Sequence, residues 1–538
     1  IYFPGFQAAV EKGHTLALMG AYNLLNGEHC CMSKSLLNEK LRKDWAFDGV
    51  VISDWGAVHD TKLAAESGLD LEMDVKYQFD EQYMADPLLK AVKDGEIEES
   101  LVDEKVRNIL RMMLRLKMIG PERKHRKTGA YNTEEHRRAV LDVARESMIL
   151  LKNEDQVLPL QAESGCKVAV IGANAAAIHS NGGGSAEIKA LYEISPLMGI
   201  KKLLGGNVKV SYAPGYVIPD KKEASEINWQ AASTETAKDT EKESTVSGSA
   251  LDEKQQEALA EAVALAKASD IVIFVGGLNH DFDVEGLDRV NMKLPYGQDE
   301  VIDALLKAVP DTVVCMYAGA PVEMPWAEKA KAILWSYYAG MEGGTALAEI
   351  LSGKVNPSGK LAETFIRDAS QCPAHTIGTF GKKDRVEYRE GVMVGYRYYD
   401  TKKTDVLFPF GHGLSYTAFT YNDLEIIRQQ ENGRQTVKVS CSVTNTGEHA
   451  GKETVQIYVA PEQKKDRPVH ELKAFEKVRL DAGETKRICV ILEERDFSHY
   501  DTDKKMPVPV NGTYEIQVGA SSTDICLCGK IDLFFAEG

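Results

Sequence analysis

A multidomain α/β chain with an all-β C-terminal part is the fold class this sequence predicts, on two observations. Up to about residue 400, β-branched apolar runs are repeatedly trailed by amphipathic stretches. Beyond Phe419, short alternating runs separated by Gly, Asn and Asp turns take their place. A length of 538 residues, 43% of them hydrophobic, suffices for about two to four domains with real cores.

The first segment holds three strand-like runs, "TLALMGAY", "GVVISDW" and "LDLEMD", with "KSLLNEKLRKDW" and "DTKLAAESG" between them as amphipathic helices. This is a series of β/α units. In "GVVISDWGA" the β-branched Val50, Val51 and Ile52 suit a strand covered on both faces, so Asp54 lies at its carboxyl end. Two roles stay open for it there: cap of the helix in "GAVHDTKLAAESG", or a catalytic group at the edge where α/β folds present them. The stretches "VDEKVRNILRMMLRLKM" and "EEHRRAVLDVARESMILLKN" follow as helices, with apolar positions recurring at three and four residues. Between them, the basic "IGPERKHRKTGAYN" reads as a solvated crossing between domains rather than a binding patch.

A second α/β pattern comprises "CKVAVIGAN", "DIVIFVGGLN", "TVVCMYAGAPV" and "AILWSYYAG", and predicts a parallel sheet layered by helices. The turn "VAVIGANAAA" has the spacing G-x-N with no G-x-G-x-x-G, which argues against a nicotinamide cofactor. Residues 224–249, rich in Ser, Thr, Glu and Lys, predict a surface excursion. After Phe419, "VKVSCSVTNTG", "ETVQIYVA", "ELKAFEKVRL", "KRICVIL" and "TYEIQVGAS" predict an antiparallel sandwich.

With 81 acidic against 64 basic residues, the formal charge of -17 argues against nucleic acid or an anionic membrane as partner. A neutral small molecule fits. No run reaches the roughly 18 apolar residues of a membrane span, and "IYFPGFQAAVEKG" has neither the basic head nor the apolar stretch of a signal peptide. The nine cysteines form no CxxC pair and have no His partner at zinc spacing. They are expected to be reduced, in a cytoplasmic protein, with no metal on Cys30-Cys31 or Cys526/Cys528 and no cofactor.

Six stretches in this order, "GAYNLLNG", "VVISDWGA", "SGLDLEM", "NGGGSAEI", "DVEGLDRVNMKLP" and "LFPFGHGLSYTAF", resemble motifs of glycoside hydrolase family 3, the β-glucosidase family. The resemblance spans the chain and implies a (β/α)8-type barrel, an α/β sandwich domain and a fibronectin-III-like β-sandwich. The boundaries expected are 1–120 for a C-terminal part of the barrel and 121–165 for a linker and helix. The sandwich domain with the acid/base loop takes 166–400, a linker 401–418, and the fibronectin-III-like domain 419–538. The activity implied is that of a retaining, exo-acting β-glucosidase on an oligosaccharide or glycoside. The alternatives are β-xylosidase, or an inactive sugar-binding remnant with an assembly role.

By this resemblance Asp54 is the nucleophile and Glu285, in "DFDVEGLDR", the acid/base, since retention needs two carboxyl groups about 5 Å apart. Trp55 offers its face to a sugar ring or serves as a core aromatic. Tyr22 is implied to donate a hydrogen bond near the nucleophile; Met19 is either a site residue or core filler. Ser185 is implied to contact a sugar hydroxyl, its glycine-rich surroundings allowing close approach of a ligand. Asp281 and Asp283 are expected to face solvent or stabilise the loop, with Asp288 and Arg289 able to hold it; a neighbouring charge would help raise the pKa of Glu285. Because Ile1–Gly13 matches a helix midway round the family's barrel, about five of eight β/α units, some 100 to 200 residues, are expected upstream. A second chain or upstream segment completing the barrel, and a homodimer, are the protein partners this anticipates.

Overall fold

Val50, Val51 and Ile52 do form a strand, and it pairs in parallel with the preceding apolar run. The computed structural model describes residues 1–219, 253–286, 288–382, 385–431, 434–462 and 467–535, so the stretch 224–249 lies outside the described residues. One unit comprises Ile1–Gly129, and a second takes the described residues from Ala130 onward.

In the first unit, β1 (Ala17–Gly20) is followed by a small hairpin of β2 (Leu24–Leu25) and β3 (Glu28–His29), then by β4 (Val50–Ser53). Strands β1 and β4 run parallel with Met19 opposite Ile52 and Gly20 opposite Ser53. The run "LDLEMD" contributes a single parallel bridge, Ile52 to Leu71, instead of the expected strand. The ladder stops because the next partner bonds change kind: Met73 N–H donates to the Ser53 hydroxyl at 2.8 Å, not to a strand carbonyl. The helix Ser35–Asp44 is wound wider than an α-helix, closing with Trp45 N–H on Lys40 O. Together with helices Thr61–Glu66 and Glu99–Arg115, these strands enclose Cys31, Leu37, Leu41, Val51, Val58 and Leu69.

The second unit opens with the helix Glu134–Ser147, capped by the Thr133 side chain. The sequence predicted helix through "MILLKN", but the chain turns into β5 (Ile149–Asn153). Met148, Ile149, Leu150 and Leu151 are all buried, and only a strand covered on both faces hides consecutive residues this way. Then come β6 (Lys167–Ile171), β7 (Lys209–Ala213), β8 (Ile271–Gly277), β9 (Val313–Tyr317) and β10 (Ala332–Trp335). Their order is β5-β10-β9-β8-β6-β7, parallel throughout except for the antiparallel edge strand β5. Alternate residues enter two cores: Ile171, Phe274, Met316 and Trp335 on one face, Val170, Ile273, Cys315 and Leu334 on the other.

The C-terminal part is a sandwich of two antiparallel sheets. Its strands are β11 (Phe419–Glu431), β12 (Arg434–Asn445), β13 (Gly451–Pro461), β14 (Glu471–Leu480), β15 (Thr485–Leu492), β16 (Ser498–Asp501), β17 (Met506–Pro509), β18 (Gly512–Gly519) and β19 (Ile525–Leu533). One sheet is β11-β12-β15 and the other β14-β13-β18-β19, with β16-β17 a separate hairpin. Val439, Cys441, Ile457, Val459, Ile488 and Ile516 fill the space between them. Among the described residues no helix is long and apolar enough to cross a membrane.

Candidate active site

Asp54 stands at the carboxyl end of β4, its backbone N–H donating to Gly20 O at 2.9 Å. Its Oδ1 accepts the Trp55 N–H at 2.7 Å, which fixes the carboxylate against its own backbone, while Oδ2 accepts no hydrogen bond among the described residues. The capping role is excluded: the cap of helix Thr61–Glu66 is Asp60, whose side chain accepts from Leu63 N–H. Trp55 is 52% exposed and Met19 61%, so neither fills the core. Tyr22, two residues beyond β1, packs partly buried against the cluster beneath the strands. Below Asp54 lies the wholly buried Cys31, whose thiol donates to Ala21 O at 3.4 Å and whose pKa burial pushes up to about 11.

A buried polar group that the sequence did not reveal holds β4 in place. The Asp70 carboxylate accepts from Val51 N–H at 2.7 Å, from Arg42 Nη2 at 2.5 Å and from Asn108 Nδ2 at 2.9 Å. Next to it, buried Lys105 donates to the carbonyls of Ala64, Ser67 and Leu69, and burial lowers its pKa to about 8. The sequence shows only an acid, Asp70, between Leu69 and Leu71, and with Glu72 and Asp74 following at alternate positions nothing in it singles Asp70 out as the buried one.

In the second unit, the candidate groups gather at the carboxyl edge of the parallel sheet, where strand order and crossovers bring loops together. The loop after β8 is anchored at its root by the wholly buried Gln298, which both accepts from Gly277 N–H and donates to Gly277 O, each at 2.8 Å. Asn174 Nδ2 donates to Leu278 O at 3.1 Å, and His280 Nε2 lies 2.8 Å from Asn181 O. Further out, Gly183 and Val284 form a parallel bridge between this loop and the one after β6. That bridge brings Ser185 onto Glu285: the carboxylate Oε2 accepts both the Ser185 N–H, at 2.9 Å, and the Ser185 hydroxyl. Gly184, at φ +79°, permits the approach, because a Cβ there would stand 2.5 Å from the Glu285 Cβ.

The neighbouring acids hold the loop. Asp281 accepts from Tyr296 OH at 3.0 Å, and Asp283 Oδ2 accepts from Gly319 N–H at 2.6 Å and Tyr338 OH at 2.9 Å. Of Asp288 and Arg289, which the sequence suggested could hold the loop, Arg289 donates to Pro321 O at 3.1 Å. Burial, with His280 beside it, pushes the His179 imidazole down to about 4 and keeps it neutral. Burial and the Asp283 charge raise the Tyr338 phenol far above its usual range, so it stays a donor. Among the described residues no group of three or more His, Cys, Asp or Glu side chains has the arrangement of a metal site.

Comparison with known proteins gives three family matches along the chain. Residues 1–112 match the glycosyl hydrolase family 3 N-terminal domain, 148–416 its C-terminal domain, and 453–522 a fibronectin type III-like domain. The chain is 39% identical to thermostable beta-glucosidase B of Acetivibrio thermocellus, over 98% of its own length and 64% of that protein's. It is also 39% identical to beta-glucosidase BoGH3A of Bacteroides ovatus, covering 98% of its own length and 69% of the relative. The crystal structure of the family 3 β-glucosidase of Bifidobacterium adolescentis superposes with a TM-score of 0.84 at 34% identity, over 99% of this chain and 72% of that one. The chain thus spans about two thirds of the length of these curated relatives.

Proposed function

This chain belongs to glycosyl hydrolase family 3, and from that premise we propose that it works as a retaining, exo-acting β-glucosidase with Asp54 as nucleophile and Glu285 as acid/base. The observation that carries the proposal is the carboxylate of Asp54, fixed at a strand end by Trp55 N–H with one oxygen unengaged. In the first step Asp54 Oδ2 attacks the anomeric carbon while Glu285 gives its proton to the departing glycosidic oxygen. Glu285 then takes a proton from the water that releases the sugar. The indole of Trp55 and the thioether of Met19, both exposed beside the nucleophile, serve as apolar contacts for the sugar ring, with Tyr22 a hydrogen-bonding group nearby. Ser185 holds the Glu285 carboxylate, and its reach to a sugar hydroxyl is a second use of the same side chain.

A fluoro-sugar trap followed by peptide mass spectrometry should label Asp54, and label on another carboxylate rejects the nucleophile. Turnover of an aryl β-glucoside well above that of an aryl β-xyloside is expected, and the reverse order favours the β-xylosidase alternative. Sugar binding with no turnover of either substrate favours a binding role instead. A homodimer is part of the same proposal, and a monomer in analytical sedimentation rejects that part.

A further inference from the structure

We propose that Asp283 is a positioning residue for Glu285, acting through placement of the loop and not through its charge; this rests on the acid/base role assigned to Glu285 above. Proton donation needs a carboxyl group held at a fixed height over the departing oxygen, and Glu285 is carried by a loop exposed at its tip. Two residues earlier, backbone and side chain tie the loop to its own root and to the segments that follow the neighbouring strands. Asp283 N–H donates to Asn279 O at 2.8 Å, and Asp283 O accepts from Gly183 N–H at 3.2 Å. The side chain reaches across to the segments that follow β9 and β10, where Gly319 N–H and Tyr338 OH both donate to it.

Both of those bonds end on one oxygen, Oδ2. An amide oxygen at the same place accepts the same two hydrogens, so an asparagine should preserve the pin, whereas an alanine leaves Gly319 N–H and Tyr338 OH without it. Gly319 is part of the device: a Cβ on it would stand 2.9 Å from Asp283 Oδ2 and displace the carboxylate. The four segments joined in this way, after β6, β8, β9 and β10, are far apart in sequence. The Gly183–Val284 bridge sets Ser185 against Glu285, and the pin at Asp283, the residue before Val284, holds that bridge in place.

The test compares D283N, D283A, G319A and E285Q on two β-glucosides, one with an alkyl leaving group that needs full protonation and one with a dinitrophenyl group that does not. For D283A and G319A the fall in kcat/KM on the alkyl glucoside should exceed the fall on the dinitrophenyl glucoside at least tenfold, while D283N should stay within about threefold of the parent on both. Hydrogen exchange of peptide 278–286 should speed up in D283A and G319A and not in D283N, a readout independent of turnover. If D283N behaves as D283A does, charge and not placement is at work, and the proposal is wrong. Equal losses on both substrates in D283A, or unchanged exchange of the peptide, overturn it as well. E285Q separates the two levels: if E285Q itself shows no leaving-group dependence, the acid/base assignment fails, whereas dependence in E285Q without it in D283A defeats only the role of Asp283.

Discussion

Replacing Asp70 by alanine should loosen the strand that carries Asp54, and the size of the effect follows from the bonds removed. The Asp70 and Arg42 side chains are 1% and 14% exposed, so their pair is buried, and breaking such a pair from one side costs about 3–5 kcal/mol. Arg42 keeps the backbone acceptors Gly68 O at 2.7 Å, Gly49 O at 3.2 Å and Phe47 O at 3.5 Å, which puts its share near the low end. Val51 N–H and the Asn108 amide lose their acceptor too, each worth about 1 kcal/mol or more when buried. A loss of about 5 kcal/mol is therefore expected for D70A. For D70N, whose amide oxygen still accepts from Val51, about 1–2 kcal/mol is expected. The assay is urea unfolding of both variants with hydrogen exchange of peptide 49–54, which should lose protection in D70A. A D70A loss below about 1 kcal/mol would refute the account of a buried anchor. Equal losses in the two variants would remove the Val51 bond from it.

Ser185→Ala removes the hydroxyl donor from Glu285 but keeps the backbone N–H, and should slow an alkyl glucoside about three- to tenfold, read as kcat/KM against the dinitrophenyl substrate. Burial raises the Asp299 pKa to about 7, although the carboxylate accepts from Trp326 Nε1 at 2.8 Å. A folded value above the unfolded one, about 3.9, means stability present below pH 4 and lost as pH rises through 7. Asn keeps the acceptor and cannot ionise, so D299N should melt about 2–4 °C above the parent at pH 8 and level with it at pH 4, as thermal scans will show. Glu146 accepts from Lys452, Lys477 and Ser358, tying the helix Glu134–Ser147 to the C-terminal sandwich. The two lysines lower its pKa against the opposing effect of burial, so E146Q should cost about 1 kcal/mol at pH 7, and the difference should vanish in denaturation curves taken below the carboxylate range.

Local chemistry wrote much of this protein into its sequence. Apolar runs rich in β-branched and aromatic residues suit strands, so β4, β6, β8, β9 and β10 were legible, and with them the position of Asp54 at a carboxyl edge. Alternating runs likewise specified the terminal sandwich. What failed was any element whose identity depends on burial: "MILLKN" continues a helical pattern, and only the closing of both sheet faces over Met148–Leu151 makes it a strand. The role of Asp54 was open locally because an acid before a helix reads as a cap; the structure gives the cap to Asp60, six residues on. Ser185 and Glu285 are a hundred residues apart and meet only because β6 and β8 are neighbours in the sheet, which sets their following loops side by side. Asp70, Arg42, Asn108 and Lys105 were unreadable for a related reason. A polar group on an amphipathic pattern is assigned to solvent by default, and it is the folded core that withdraws water from these four and leaves them one another, the backbone and, for Asn108, the Arg111 guanidinium as partners.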